Sequence, residues 1–527
     1  MTASRARDSV GDRLAASEHR PLLLAFVTCS IGLLMVRSYA AGRVGFGDSE
    51  ALYASYALHP QAAYLDHPGL IGVLARTIAG SGAPTPSEAH QLTAVLASLA
   101  PWCTAVAARA MGAAWRAALL AGMAVLVVPE TALGLFAMTP DLLLFFAWTC
   151  ALALASLGLA AKPSSGRAAF YLVGAGLAAG IAAAAKISGL TLLGALAATY
   201  CARTARPHTR TPWPWAGLAS GCLVVLPIAE YEAHAGWPML RHRLVDTQHG
   251  AGVSLRNLGA LVLGQFAYLS PLMVIIAALV AVDLWRSRRK DATSVLLNWS
   301  MLLPLAALVP LCLWSRVAEP HWIAPALLGL PLHYARSRGA TATVDPEAEH
   351  ARSTSLPRWL GVASLVSAGA LSVAVYAWVL VPRLVALVPK SAYDPRVDIA
   401  NELYGWREAT RLVKEMAAPQ ETPGEPGSVV IVGPHWVICA QLHAGLGAAF
   451  RVGCMSPVRD DFDDWNPRAG WQRADIVLLV TDNRFPVEPL GLFPDRVVTD
   501  QRRLTIFRGG RIARTFTVDV LSLRARG

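Results

Sequence analysis

Charge is what this 527-residue sequence has least of: Asp, Glu, Lys and Arg make up 15% of it, against 54% apolar residues. That balance excludes a chain built around one soluble core and describes a polytopic membrane protein. Walker, Rossmann and zinc-finger spacings are absent, as are His-Glu-x-x-His and any internal repeat. No signal-peptide cleavage pattern appears, since Arg5, Arg7, Arg13 and Arg20 lead into a full-length apolar run. Cysteine is scarce, eight in all, and Cys29, Cys103, Cys150, Cys201, Cys222 and Cys312 fall in apolar runs as small hydrophobes. Cys439 and Cys454 lie in polar sequence, where an oxidising compartment would permit a disulfide that spacing alone does not assign.

Apolar runs long enough to span a bilayer fall at 21–40, 92–111, 114–129, 140–161, 168–185, 187–202, 213–230, 257–282, 294–313, 321–336 and 357–381, eleven in all. The stretch 168–202, interrupted by Lys186, also reads as one long broken helix. The net charge of +11 sits in short basic clusters between runs, which argues for topology signals and against a nucleic-acid partner. An inside N-terminus places Arg109 and Arg116, Lys162 and Arg167, Arg203 to Arg210, Arg286 to Lys290, and Arg336 and Arg338 inside. The outer face then receives 41–91, 130–139, 231–256, 314–320 and everything after 382. The expected architecture is an all-α membrane body over 1–381, with external surface helices, and a small soluble α/β domain over 382–527 outside a bacterial inner membrane. Strands are expected near 428–433, 474–480 and 504–507, and a helix over 400–417.

The unusual residues lie in the external loops. The first carries Asp48, Glu50, Asp66 and His67, and the loop at 231–256 carries Glu232, Arg241, His242, Arg243 and His249. Plainer roles stand beside chemical ones. Asp48 and Glu50 suit the first turn of a helix, and Asp141 after Pro140 suits a helix start. Asp66-His67-Pro68 suits a turn, Arg241 and Arg243 suit lipid headgroups, and Lys186 could pair with a nearby acid.

Glu50-Ala51-Leu52-Tyr53 followed by Tyr64-Leu65-Asp66-His67-Pro68-Gly69 resembles the DEAYY…GYFDHPP signature of bacterial dolichyl-phosphate-mannose-type transferases, the lipid A aminoarabinose transferases among them. Thr139-Pro140-Asp141, Ala185-Lys186-Ile187, Leu226-Pro227-Ile228 with His234-Ala235-Gly236-Trp237, and Tyr268-Leu269-Ser270-Pro271 resemble further motifs of that family, in order. So do Glu319-Pro320-His321-Trp322, Asn401-Glu402-Leu403-Tyr404 and Asp461-Phe462-Asp463-Asp464-Trp465. The resemblance implies a GT-C fold and transfer of a sugar, with inversion, from a polyprenyl-phosphate-sugar donor to an acceptor lipid, glycan, protein or metabolite.

Such a transfer needs a carboxylate to take the acceptor's proton and cations to hold the departing phosphate. Asp48 is the first choice for base, with Glu50 orienting it or holding a divalent metal with His67. Asp141 would contact the sugar or support the base. Lys186, Arg241 and Arg243 would hold the phosphate, with His242, Arg256, Arg316 and His321 as further cations, and Tyr53, Tyr64, Asp66 and His67 would line the substrate site. No cofactor is certain. Three departures mark this chain: Ser49 stands where the family has its Asp, Gly69 replaces a proline and is expected to loosen that turn, and Glu230-Tyr231-Glu232 replaces a polar aromatic segment. The rival reading is a transporter or flippase of lipid-linked sugars, which would need ionisable residues deep in the spans and paired broken helices.

Overall fold

The computed structural model describes residues 2–248, 251–315, 319–339, 357–420 and 428–524, with side chains from Arg20 onward. His249 and Arg316 lie outside the described residues. Among those described, seven helices are long and apolar enough to cross a membrane: Arg20–Ala41, Pro86–Ala110, Pro140–Ala160, Gly166–Ala185, Trp213–His234, Ala292–Trp314 and Arg358–Leu380. The chain is a multi-pass membrane protein. Local chemistry starts these helices where the sequence allows. Thr85 and Glu88 form a capping box before Pro86–Ala110, and the Ser165 hydroxyl accepts from Ala168 N ahead of Gly166–Ala185.

The expected eleven spans are met differently in four places. Trp115–Val127 and Ile187–Tyr200 are apolar but short. The run at 321–336 is divided into Pro320–Ile323, Ala324–Leu327 and Gly329–Gly339. The run at 257–282 is two helices, Leu255–Leu269 and Pro271–Ser287, meeting at 106°. Ser270 makes that corner: its φ is +79°, and its hydroxyl accepts from Met273 N at 3.4 Å as an N-cap. Pro271 supplies the first residue of the next helix, where a missing N–H costs nothing.

The stretch 168–202 is two helices parted at Lys186, whose backbone is extended (φ −148°, ψ 137°). The first of them packs closely on Trp213–His234, and a Cβ on Gly176 would strike the backbone of Gly217. Backbones that close require small residues at the crossing.

The C-terminal region folds as a five-stranded sheet: β1 (Val429–Gly433), β2 (Arg451–Cys454), β3 (Ile476–Asp482), β4 (Arg496–Arg508) and β5 (Arg511–Leu523), in the order β2-β1-β3-β5-β4. Strands β2, β1 and β3 are parallel, while β5 runs antiparallel to both β3 and β4. The helix expected over 400–417 begins only at Trp406, because Gly405 turns the chain at φ +89°. Helix Trp436–Leu446 crosses from β1 to β2, and Cys439 on it forms a disulfide with Cys454 of β2, Cα to Cα 5.9 Å. One apolar core runs from this sheet into the first loop, joining Val429, Ile431, Leu478 and Val518 to Leu52, Tyr53, Tyr56 and Tyr64. Helix Asp48–Ser55 is held there by Gln441 Nε2, which donates to Phe46 O at 2.8 Å.

Candidate active site

The first loop presents its acid and imidazole through a tight turn. Tyr64 N donates to His67 O at 2.9 Å and Gly69 N to Ala62 O at 2.8 Å, which leaves Asp66 and His67 at the tip. Gly69 tightens this turn instead of loosening it: a Cβ there would lie 2.6 Å from Ala62 O, and a proline would lack the donated N–H. Tyr64 is buried behind the turn, stacked on Tyr56 with ring centroids 3.6 Å apart, and its hydroxyl donates to His59 O at 2.8 Å. Its role here is to build the loop.

Two ion pairs converge on this tip. Arg243, from helix Pro238–Leu244, reaches Asp66 at 2.8 Å, with His242 Nε2 at 3.8 Å from the same oxygen. Lys186 donates to both oxygens of Asp141 at 2.8 and 3.0 Å. The break in the helix at Lys186 sets it opposite the first turn of Pro140–Ala160, which carries Asp141. His67 joins the two pairs: burial, followed by the charges of Arg243, Lys186 and His321, holds it well below the usual imidazole range, so it is neutral. Tyr53 lies against it, centroids 5.4 Å apart. Burial and the charge of Asp66 keep the Tyr53 phenol protonated, and Ser49 hydrogen-bonds it from one helical turn away. The structure therefore brings together Tyr53, Asp66, His67, Asp141, Lys186, Arg243 and His321.

Other expected residues stand elsewhere. Asp48 turns to the C-terminal region, where Arg484 grips its oxygens at 2.8 and 3.3 Å and Glu402 lies beyond. Glu50 points into the membrane body and accepts from Met138 N at 2.7 Å and Gly47 N at 2.9 Å, with His90 Nε2 at 2.9 Å from it. Burial raises its pKa, but His90 and those backbone donors outweigh burial and hold it below the usual carboxylate range. Gly47 and Glu50 thus make the plain helix-start arrangement. Arg241 is exposed and paired loosely with Asp246 at 3.5 Å. Arg256 is also exposed. Glu50 and His67, the residues expected to share a metal, have no common partner. Among the described residues no three His, Cys, Asp or Glu side chains are placed to hold a metal ion.

Four contributors were given no role from the sequence, although two of them, Tyr268 and Asp461, lie in motifs quoted above. Glu130 sits in the short helix Pro129–Ala132, and its Oε2 is buried without a hydrogen-bond partner. Burial, then Asp141, push its pKa up to about 8 against the pull of Lys186, so it is a neutral acid beside the Lys186–Asp141 pair. Arg37, buried in the first span, fixes that helix by donating to Thr131 O at 3.0 Å and Ala132 O at 2.8 Å. Tyr268, just before the corner at Ser270, is within electrostatic reach of Glu130, Glu319 and Asp141. Asp461, from the C-terminal region, accepts from Leu65 N at 3.0 Å and Tyr56 OH at 3.1 Å and so steadies the turn beneath Asp66. The one signal for Glu130 was Pro-Glu at a helix start.

Comparison with solved structures places this architecture. The chain is similar to ArnT from Cupriavidus metallidurans bound to undecaprenyl phosphate, at 16% identity and a TM-score of 0.57, covering 94% of this chain and 97% of that one. It is similar to the Archaeoglobus fulgidus oligosaccharyltransferase in complex with Zn and sulfate, at 12% identity and TM-score 0.50, over 87% of this chain and 67% of that one. The arabinofuranosyltransferase AftD from Mycobacteria matches at 14% identity and TM-score 0.51, over 96% of this chain and 42% of that one. No family model and no curated protein matches the sequence. The likenesses establish the fold, which is the GT-C architecture expected from the motifs.

Proposed function

We propose that a chain of this fold, with two ion pairs facing one another across a first-loop turn, is a glycosyltransferase using a polyprenyl-phosphate-linked sugar. The observation that carries the reading is the juxtaposition of Lys186–Asp141 with Arg243–Asp66 around Tyr53 and His67. Two cations aimed at one place, each now balanced by a carboxylate, match a phosphate that takes both cations and releases both carboxylates. The fold's likeness to a protein bound to undecaprenyl phosphate supports the same donor class.

In this reaction the acceptor oxygen attacks the anomeric carbon from the face opposite the phosphate. The bond from that carbon to the phosphate oxygen breaks, and its electron pair leaves on a phosphomonoester held by Lys186 and Arg243. The acceptor's proton passes to a carboxylate, and configuration inverts. Arg243 contributes a forked, permanent charge and Lys186 a compact one. We place the base at Asp66 rather than at Asp48, whose two oxygens are occupied by Arg484. Asp66 lies within electrostatic reach of Asp461 of the C-terminal region, and its side chain is partly exposed. Asp141, Glu130 and Tyr268 then face the sugar. The acceptor is a lipid, glycan, protein or metabolite.

We further propose eleven crossings, with the short and bent helices completing them, an inside N-terminus, and residues after 382 on the outer face of a bacterial inner membrane. The basic inner turns and the Cys439–Cys454 disulfide support that orientation. Purified protein in lipid, given a labelled polyprenyl-phosphate sugar and candidate acceptors, should release polyprenyl phosphate in a manner requiring Asp66. Translocation of the donor without bond cleavage would sink the enzyme in favour of a flippase. Reporters fused after residue 400 and near residue 288 should be active only outside and only inside, respectively.

A further inference from the structure

The β4–β5 hairpin ends in a tip that water does not suit. Phe507 and Ile512 are direct cross-strand partners, hence on one face, and are 64% and 48% exposed. In the segment bonded to this tip Leu387 is 77% exposed, and Val397 and Ile399, on either side of Asp398, are 75% and 77% exposed. Exposed apolar side chains are ordinary singly, but five on a hairpin tip and the segment fastened to it mark an interaction surface.

The tip is fastened to the end of a membrane span. Arg508 is buried, donates to Trp378 O, and pairs with Asp398 at 2.8 Å. A Cβ on Gly509 would strike Pro382 O, and Arg511 donates to Val388 O at 2.8 Å. Trp378 is in the last turns of Arg358–Leu380. That helix of 23 residues rises about 34 Å, slightly more than the hydrocarbon thickness, so its end lies at the bilayer surface. The apolar tip therefore stands at headgroup depth. Arg383 and Lys390, both exposed, flank it with positive charge.

We infer that the β4–β5 tip and the 382–399 segment form a foot that rests in the outer lipid leaflet. Phe507, Ile512 and Leu387 enter the boundary between headgroups and acyl chains, and Arg383 and Lys390 meet anionic headgroups. The foot fixes the height of the C-terminal sheet above the bilayer, and with it the height of Asp461 and Arg484 over the first loop. The inference depends on Arg358–Leu380 crossing the membrane and is independent of which reaction the cluster catalyses.

The test places the photo-reactive p-benzoylphenylalanine singly at positions 507, 512 and 387 of the full chain in nanodiscs of phosphatidylethanolamine and phosphatidylglycerol. Position 373, where Val373 is 68% exposed in the last span, is the lipid control. Position 490, where Leu490 is 42% exposed in helix Pro489–Leu492 beside the middle of β4, is the water control. Irradiation should yield phospholipid adducts at 507, 512, 387 and 373, and none at 490. Adducts at 373 alone would overturn the foot while leaving the span intact, and cross-links from 507 to a second copy of the chain would replace it with a self-association surface. Absence of lipid at 373 would overturn the span and the foot together.

Discussion

Arg484 closes on both oxygens of Asp48 from 436 residues further along the chain, at 2.8 and 3.3 Å. Arg484 is shared with the buried Asp482, which also holds Arg514 at 3.1 Å. The most prominent acid of the first loop is therefore a fastening between the membrane body and the C-terminal sheet.

Asp48→Asn should accordingly lower unfolding stability by about 3 kcal/mol, the scale for breaking one side of a poorly hydrated ion pair. Asp66→Asn should instead cut transfer at least ~100-fold, as for loss of a general base, with little change in melting temperature. Turnover and melting measured on both variants would decide it. If Asp48→Asn is inactive yet stable, the base is Asp48.

Lys186→Ala should weaken donor binding roughly 10- to 100-fold, the worth of a charge-assisted hydrogen bond. Lys186→Arg should recover part of that loss, because charge is kept and geometry is not. Binding of polyprenyl phosphate measured beside thermal stability separates the roles: reduced stability with unchanged affinity would make Lys186 a counter-ion for Asp141 only.

Asp461 carries a pH signature. Burial, then the neighbouring Asp66, push its pKa from the ordinary 3.8 up to about 8. The folded state holds the proton more tightly, so this group's contribution to stability is complete below pH 3.8 and falls away as pH rises to about 8. Asp461→Asn resembles the protonated acid and still accepts from Leu65 N. Melting temperature plotted against pH should be flatter for Asp461→Asn than for the parent across that window. An unchanged slope would assign the titration to other groups, Asp460 first among them, which rises to about 7.

Glu130 is a neutral acid with one free oxygen in the cluster, so Glu130→Gln should preserve transfer. Glu130→Leu should lose roughly tenfold, the scale of one buried hydrogen bond. Equal activity of the two variants would remove Glu130 from sugar recognition.

Hydropathy made most helices legible, because a run of apolar residues of bilayer length has one structural solution. It concealed the corner at 257–282, since hydropathy averages over Ser270-Pro271, although serine before proline is a helix-start signature. Motif spacing led to Asp66, His67, Asp141 and Lys186. It could not show that Lys186 and Asp141 share two hydrogen bonds, for they are 45 residues apart on different helices. Nor could it set the rotation of helix Asp48–Ser55. A residue's step of 100° around that helix sends Asp48 to Arg484, Ser49 to Tyr53 and Glu50 to His90. Arg484 and Asp461 are remote in sequence from the loop they support; no local pattern marks Arg484, and the motif that holds Asp461 does not reveal its bond to Leu65 N.

The seating of helix Asp48–Ser55 on Trp436–Leu446 also sets a clock. Ser55 meets its partner carbonyl on Ala440 only after 385 further residues have been made. At cellular rates of synthesis that interval is about 20 to 80 s. Throughout it the first loop waits at the membrane surface with Tyr56, Tyr64 and Asp48 uncovered. A nascent chain therefore completes the support of its cluster only when nearly all of it has been translated, and a ribosome stalled before β1 leaves a membrane body whose Asp66 turn lacks that support.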